Sequence, residues 1–216
     1  PCAVADPFWQ NRAWQIFRPF VDGALDRMQA AAAAFALGVS PAAVREGLRS
    51  FPGVPGRMER IPLPPQIPFS VYVDFAHTPD ALEHLLGAAH AIRHRGRRIV
   101  LLFGCGGDRD RSKRRAMARV ASRMADSVVI TSDNSRTEKT ADIMADIKEG
   151  MDTSGKAKSL FIEDREQAIR TAIMIADEGA TILLAGKGHE TYQIIGTEKT
   201  HFDEKEIITE IFKETR

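Results

Sequence analysis

Short aliphatic runs alternate with longer amphipathic stretches from Ser70 onward. The runs are rich in Val, Ile and Leu and predict strands over Val71–Asp74, Arg98–Phe103, Ser127–Thr131, Ser159–Ile162 and Thr181–Ala185. The stretches between them predict helices over Pro79–His94, Lys113–Met124, Ala141–Met151 and Arg165–Ala176. The run Val128-Val129-Ile130 has no polar position, which is typical of a strand covered on both faces.

This alternation predicts an α/β fold, with a Rossmann-like, mostly parallel sheet and helices on both of its faces. In open sheets of this kind, ligands bind beyond the carboxyl ends of the strands. The residues that directly follow each predicted strand are therefore the first candidates for chemistry.

The N-terminal part of the chain has a different pattern. Val21–Leu37 is rich in Ala and predicts a helix, and Ser40-Pro41 predicts the cap and first residue of a second helix that ends near Ser50. The segment Phe51–Pro68 is rich in Pro and Gly and predicts a connector. We therefore divide the chain into a helical segment, residues 1–52, and an α/β domain, residues 53–216. Residues 1–20 contain five aromatic side chains without a clear period.

Composition narrows the class of protein. The chain has 30 Lys plus Arg against 29 Asp plus Glu, so its charge gives no reason to expect a nucleic-acid or anionic-membrane partner. Two cysteines, Cys2 and Cys105, cannot form a disulfide framework, and a reducing, cytoplasmic setting fits best. The longest apolar run is too short to span a bilayer. Because the sequence begins with Pro1, we expect a piece of a longer protein.

Two candidate groups follow the first two strands of the α/β domain. Asp74 can accept hydrogen bonds from a ribose and His77 can contact a phosphate or carboxylate, although both fit an ordinary helix start as well. The glycine-rich segment after the next strand permits close backbone approach, and the helix that follows favours an anion. It carries four cations within six residues, Arg109, Arg111, Lys113 and Arg114, more than a solvated helix face needs.

The same segment limits the chemistry that can be expected. It does not end in Gly-Lys-Ser/Thr, so it is not a Walker A loop. No histidine and carboxylate are arranged to activate Cys105, which we interpret as a small residue in a tight loop. His90 and His94 have metal-like spacing but no third ligand, so we place them on the surface and predict no metal site.

Two further groups follow later strands. In Asp133-Asn134-Ser135-Arg136, the planar Arg136 fork suits a carboxylate, while Asp133 and Asn134 can hold a turn or an ammonium group. In Gly186-Lys187-Gly188-His189-Glu190, the glycines bring backbone close to a ligand and Glu190 can bind an ammonium. The alternative for the second group is a glycine loop with a solvated Lys and Glu.

Each group is weak alone, but their order along the chain resembles the C-terminal domain of the Mur ligase family. The matching segments are Gly56-Arg57-Met58-Glu59, Asp74-Phe75-Ala76-His77-Thr78-Pro79-Asp80, Gly104-Cys105-Gly106-Gly107-Asp108-Arg109-Asp110, Ser132-Asp133-Asn134-Ser135-Arg136, Gly186-Lys187-Gly188-His189-Glu190, Tyr192-Gln193-Ile194-Ile195-Gly196 and Phe202-Asp203-Glu204. Within the family, the members that add meso-diaminopimelate match best. The resemblance implies that residues 53–216 bind an amino acid and that residues 1–52 are a remnant of the central ATPase domain or a divergent segment.

The family reaction uses ATP and Mg²⁺ to activate the carboxylate of UDP-MurNAc-L-Ala-D-Glu for attack by the incoming amine. The resemblance implies that Arg57, Asp74 and His77 contact ATP. It implies a meso-diaminopimelate pocket formed by Arg109, Asp133, Asn134, Arg136, Gly186 and Glu190. The phosphate-binding loop, the Mg²⁺ ligands and all catalytic residues would belong to the missing N-terminal and central domains, so we expect this chain alone to be inactive.

Specificity follows from charge. The far end of meso-diaminopimelate carries a carboxylate and an ammonium, which Arg136 and Glu190 complement, whereas lysine has no such carboxylate. The usual family motif is Asp-Asn-Pro-Arg, and Ser135 stands here in place of Pro. A lysine-adding or other Mur-type ligase and a stand-alone, non-catalytic binding module stay open as alternatives. A folylpolyglutamate synthetase is disfavoured by the motifs that contain Arg136 and Glu190.

Overall fold

The computed structural model describes residues 21–51, 53–93 and 95–214 of a chain that divides into two units, Pro1–Gly53 and Val54–Arg216. Within the first unit, helix α1 spans Val21–Ala36 and helix α2 spans Pro41–Ser50. The Ser40 hydroxyl accepts a hydrogen bond from the Ala43 N–H at 3.3 Å, which confirms the predicted cap. The aromatic segment 1–20 lies outside the described residues.

The second unit is built on a six-stranded sheet with the order β1-β2-β6-β3-β4-β5. Its strands are β1 Glu59–Ile61, β2 Ser70–Asp74, β3 Ile99–Phe103, β4 Ser127–Ile130, β5 Ser159–Phe161 and β6 Thr181–Ala185. Strands β2 to β6 are mutually parallel, and only β1 runs antiparallel, against β2. The predicted Rossmann-like, mostly parallel sheet is therefore confirmed.

Helices cover both faces of this sheet. They are α3 Pro79–Ile92, α4 Ser112–Met124, α5 Thr140–Glu149, α6 Thr153–Ala157, α7 Arg165–Met174 and α8 Glu204–Glu214. In β3, the side chains of Ile99, Leu101 and Phe103 join the core formed with α3, α4 and α5. Val100 and Leu102 point the other way and join the core formed with α7 and α8. A strand buried on both faces cannot alternate apolar with polar residues, which explains its continuous aliphatic sequence.

Several elements were not predicted from the sequence. Strand β1 lies in the predicted connector, and a hairpin of β7 Tyr192–Ile195 and β8 Glu198–His201 follows the sheet. Strand β1 is three residues long and β8 is exposed along its whole length, so neither carries the apolar pattern that reveals a strand. Among the described residues, no helix is both long and apolar enough to cross a membrane.

Replacing Leu183 with Ala tests the two-sided core. Leu183 is fully buried in β6, between β2 and β3, so we expect its truncation to lower the free energy of unfolding by about 2–5 kcal/mol. Leu160→Ala, on edge strand β5 with 41% of its side chain exposed, is the matched control and should cost less than about 1 kcal/mol. Urea unfolding followed by circular dichroism measures both. Equal losses would show that β6 is not the centre of the core.

Candidate functional site

Four loops meet at the carboxyl edge of the sheet, each following a different parallel strand. The Gly186 N–H donates to the Asp74 carbonyl at 3.0 Å, which joins the loops after β6 and β2. The Gly107 N–H donates to the Asn134 carbonyl at 2.9 Å, which joins the loops after β3 and β4. The Asn134 Nδ2 donates to Glu190 Oε2 at 2.9 Å and closes the set. The loops converge as a parallel arrangement requires.

Two glycines allow backbone to pack directly on backbone in this region. A Cβ on Gly107 would collide with the Ser135 carbonyl. Gly188 has a φ of +56°, and a Cβ there would lie 2.7 Å from the Phe75 Cβ and 2.8 Å from the Gly56 carbonyl. No other residue type can occupy these positions without moving the neighbouring loop.

Asp133 lies buried at the base of the loop after β4. Its Oδ1 accepts the Asn134 N–H at 2.7 Å and lies 3.6 Å from the Lys187 Nζ. Burial disfavours the charged carboxylate, but the positive charges of Arg165 and Lys187 outweigh it and hold the pKa of Asp133 below its ordinary value. Asp133 therefore serves as a buried negative charge within the protein, and direct contact of its carboxylate with an amino acid stays a prediction.

The side chain of Lys187 is fully buried. The alternative interpretation, a glycine loop with a solvated lysine, is therefore wrong for this residue. Its Nζ donates to the Tyr192 carbonyl at 2.7 Å and to Asn134 Oδ1 at 3.2 Å. Burial lowers the pKa of the ammonium, although the charges of Asp133 and Glu190 oppose that shift. No local sequence pattern marks this burial, because a lysine between two glycines is usually solvated.

Arg165 is a second buried cation that the sequence did not reveal. At the start of α7, it donates from Nη1 to the Ser132 carbonyl at 2.9 Å and from Nη2 to the Ala185 carbonyl at 3.0 Å. Its Nε donates to Glu204 Oε1, at the start of α8, at 2.9 Å. Arg165 thereby fixes the ends of β4 and β6, where two of the converging loops begin.

Arg136 and Glu190 bring opposite charges to the rim of this site. Arg136 has a φ of 51°, and its Nη1 donates to the carbonyls of Gly107 at 2.9 Å and Asn134 at 3.2 Å. Among the described residues, its Nε and Nη2 have no hydrogen-bond partner. Glu190 is half-buried and accepts hydrogen bonds from Asn134 and the Tyr192 hydroxyl. None of the ion pairs among the described residues joins Arg136 to Glu190.

The four cations of the glycine-rich segment were predicted to be more than a solvated helix face needs. The structure corrects this prediction, because three of them have partners within the protein. Arg114 is fully buried and pairs with both Glu138 and Asp146 at 2.7 Å, and Arg111 also pairs with Asp146, at 3.0 Å. Lys113 donates to the His77 carbonyl at 3.1 Å. Arg109 is exposed and, unlike the other three, has no partner beyond its neighbour among the described residues: its Nη1 donates to the Asp108 carbonyl. Three of these cations therefore hold the loops together.

An exposed aromatic cluster lies on the other side of the loop after β6. The Arg57 guanidinium lies 5.0 Å from the centre of the Phe75 ring, and the rings of His77 and His189 lie 4.7 and 5.2 Å from it. His189 was not among the predicted site residues. The Asp74 carboxylate accepts the N–H groups of Met58 at 2.6 Å and Ala76 at 2.7 Å, so it fixes the backbone beside the cluster.

His90 lies outside the converging loops and the aromatic cluster, and Cys105 belongs to the glycine-rich segment after β3. Among the described residues, no group of three or more His, Cys, Asp or Glu side chains could hold a metal ion. His90 is partly buried and bonds through Nε2 to the Met124 carbonyl at 2.8 Å, rather than lying free on the surface, and His94 lies outside the described residues. Cys105 is buried, and burial raises the pKa of its thiol to about 12.

The chain belongs to the Mur ligase family. A family model described as "Mur ligase, glutamate ligase domain" matches residues 56–188, which is more than half of the chain. Within the family, the chain is 49% identical over 180 residues to the UDP-N-acetylmuramoyl-L-alanyl-D-glutamate--2,6-diaminopimelate ligase of Thermosynechococcus vestitus, and 46% identical over 183 residues to that of Bacteroides fragilis. These alignments cover 83% and 85% of the chain, which spans only 35% and 37% of the two relatives.

Solved structures agree with this assignment. A UDP-N-acetylmuramoyl-L-alanyl-D-glutamate--2,6-diaminopimelate ligase has a TM-score of 0.69 and 37% identity, over 86% of this chain and 37% of its own. The UDP-N-acetylmuramate-alanine ligase of Thermotoga maritima has a TM-score of 0.63 over 90% of this chain and 38% of its own. Because the second protein is only 21% identical, it supports the fold alone.

Alkylation tests whether Cys105 is inert. In a Cys2→Ser variant, Cys105 is the only cysteine left of two. Its buried thiol, with a pKa of about 12, stays protonated at pH 8, so we expect iodoacetamide to react at least about a hundredfold more slowly in native buffer than in unfolding urea. Mass spectrometry follows the reaction. Rapid modification of the folded protein would show that Cys105 is accessible and reactive.

Proposed function

We propose that residues 53–216 form the amino-acid-binding domain of a cytoplasmic, ATP-dependent ligase that adds meso-diaminopimelate to UDP-MurNAc-L-Ala-D-Glu in peptidoglycan synthesis. Residues 1–52 are then a helical remnant of the central ATPase domain or a divergent N-terminal segment. In that unit, Met28, Phe35, Leu37 and Leu48 expose more than a third of their surface, which supports packing against a further part of the parent protein. The names of the relatives and the charges at the carboxyl edge support the proposal.

One observation carries the proposal. Arg136 and Glu190 both contact Asn134, yet the two opposite charges do not pair with each other among the described residues. A ligand with a carboxylate and an ammonium at one end would neutralise both at once. The distal end of meso-diaminopimelate has this pair of groups, whereas lysine would leave the Arg136 fork without a partner. Exposed Arg109 would add a further positive charge at the rim of the same pocket.

ATP would occupy the side of the loop that carries the aromatic cluster. Arg57 and His77 are exposed beside the Phe75 ring and offer positive or hydrogen-bonding groups to a phosphate or ribose. The Asp74 carboxylate, which accepts two backbone N–H groups beside the cluster, is the third group that we propose to contact ATP. ATP would supply the phosphoryl group that activates the acceptor carboxylate. Its Mg²⁺ ligands would lie outside the described residues, which hold no suitable cluster.

Calorimetric titration of the 216-residue chain tests the pocket. We expect meso-diaminopimelate to bind more tightly than L-lysine, and Arg136→Ala to weaken meso-diaminopimelate about ten- to a hundredfold. The variant removes a charge-assisted contact with the distal carboxylate, so the affinity for lysine should change little. Arg123→Ala is the matched control, because Arg123 is exposed, pairs only with Glu83 among the described residues and lies in the last turn of α4, away from the carboxyl edge of the sheet.

Circular dichroism must show that Arg136→Ala stays folded, because Arg136 Nη1 also holds two loop carbonyls. Equal losses of affinity for both amino acids would mean that Arg136 shapes the loop rather than contacting the distal carboxylate. Tighter binding of lysine by the unmodified chain would favour a lysine-adding ligase instead.

Turnover by the chain alone gives a separate test. Its 216 residues contain no Gly-Lys-Ser/Thr loop for the β- and γ-phosphates, so we expect no ADP release and no tripeptide when ATP, UDP-MurNAc-dipeptide and meso-diaminopimelate are supplied. A coupled ADP assay and mass spectrometry measure both products. Sustained tripeptide formation would place phosphoryl-transfer machinery inside this chain.

A further inference from the structure

We propose that Lys187 is a positioning residue, which fixes the Asn134 side-chain amide so that Asn134 presents only an N–H donor to the amino-acid pocket. The inference rests on the proposed function for the identity of the ligand, but not for the orientation of the amide. It assigns Asn134 to the carboxylate end of the ligand and leaves Glu190 as the acceptor for the ammonium.

The hydrogen bonds of Asn134 determine its orientation. Its Oδ1 accepts from the Lys187 Nζ at 3.2 Å and from the Ile194 N–H at 2.9 Å, which uses both lone pairs. Its Nδ2 donates to Glu190 Oε2 at 2.9 Å. The opposite orientation would place the amide NH₂ against two donors and the amide oxygen against a carboxylate. All three contacts therefore favour the same orientation.

Lys187 acts through Asn134 because its own ammonium is already satisfied. Two of its three N–H groups donate to Asn134 Oδ1 and the Tyr192 carbonyl, and the third can face Asp133 Oδ1 at 3.6 Å. The side chain is fully buried, so it offers nothing to a ligand. Lys187 therefore affects the pocket only by fixing the orientation of the Asn134 side-chain amide.

The orientation changes what Asn134 can recognise. An ammonium needs an acceptor, and the only acceptor of the Asn134 side chain is occupied by Lys187 and Ile194. The second N–H of Nδ2 is not used within the described residues, and it matches a carboxylate oxygen next to the free side of the Arg136 guanidinium. Holding an ammonium is therefore not a role for Asn134.

A double-mutant cycle with Lys187→Met and Asn134→Ala tests the proposal in the 216-residue chain. Met keeps the volume and removes the charge, so Asn134 Oδ1 loses one of its two donors and keeps only the Ile194 N–H. We expect Lys187→Met to weaken meso-diaminopimelate at least about tenfold by calorimetry, but to have little further effect when Asn134 is already Ala. Additive losses would mean that Lys187 does not act through Asn134.

Lys158→Met is the matched control. Lys158 Nζ donates to the Ala125 carbonyl at 2.6 Å, at the opposite end of the sheet from the pocket. This variant should lower the melting temperature without changing the affinity for meso-diaminopimelate. If it weakens binding as much as Lys187→Met does, loss of stability explains both results and the positioning role is overturned.

Nuclear Overhauser contacts in the unmodified chain test the orientation without any ligand or variant. We expect the Asn134 Hδ2 protons to show contacts with the Glu190 Hγ protons rather than with the Lys187 Hε protons. The reverse pattern would overturn the proposal. If the unmodified chain failed to bind meso-diaminopimelate while the amide kept this orientation, the proposed ligand would be wrong and the positioning role would stand.

Discussion

Buried positive charge beneath the converging loops is the constraint on which the site depends. Arg165 and Lys187 are fully buried, and a buried charge without partners costs several kcal/mol, so each needs fixed acceptors. Arg165 takes the carbonyls of Ser132 and Ala185 together with the Glu204 carboxylate. The backbone is therefore held just after β4 and at the last residue of β6. Asp133 completes the arrangement, because the same two cations keep it ionised.

Hydrogen bonds within the loops after β3 and β4 hold two residues in an unfavourable backbone conformation. Asp108 and Arg136 both have positive φ values, 54° and 51°, a conformation that costs free energy in residues other than glycine. The Asp108 carboxylate compensates by accepting hydrogen bonds from the Thr137 N–H and hydroxyl, and Glu138 receives the Asp108 N–H. Arg136 compensates by donating to loop carbonyls. These hydrogen bonds hold both strained loops in place. Among the described residues they use only Nη1 of the Arg136 guanidinium, so the Nε and Nη2 groups stay available.

The sequence predicted the sheet well because β3 and the Val128-Val129-Ile130 run of β4 are apolar at every position, a pattern that needs no tertiary information. It also predicted which loops would converge, since parallel strands place their carboxyl ends together. It did not predict Lys187 and Arg165 as buried, because a lysine between glycines and an arginine at a helix start are usually solvated. Their partners include Ala185, 20 residues from Arg165, and Asn134, 53 residues from Lys187, which local patterns do not connect.

Adjacent residues of the loop after β6 contribute to two different surfaces, the aromatic cluster around Phe75 and the group of polar side chains around Asn134. The His189 ring lies against Phe75 in the aromatic cluster, while Glu190 bonds to Asn134 in the pocket proposed for the amino acid. Gly188 immediately before them packs on Phe75 and on the Gly56 carbonyl, so the backbone has no free space in which to move independently. Lys187 anchors the start of the same segment to Tyr192. A shift of this backbone would therefore move His189 and Glu190 together, which makes the short loop the structural boundary between the surface proposed for nucleotide and the pocket proposed for the amino acid.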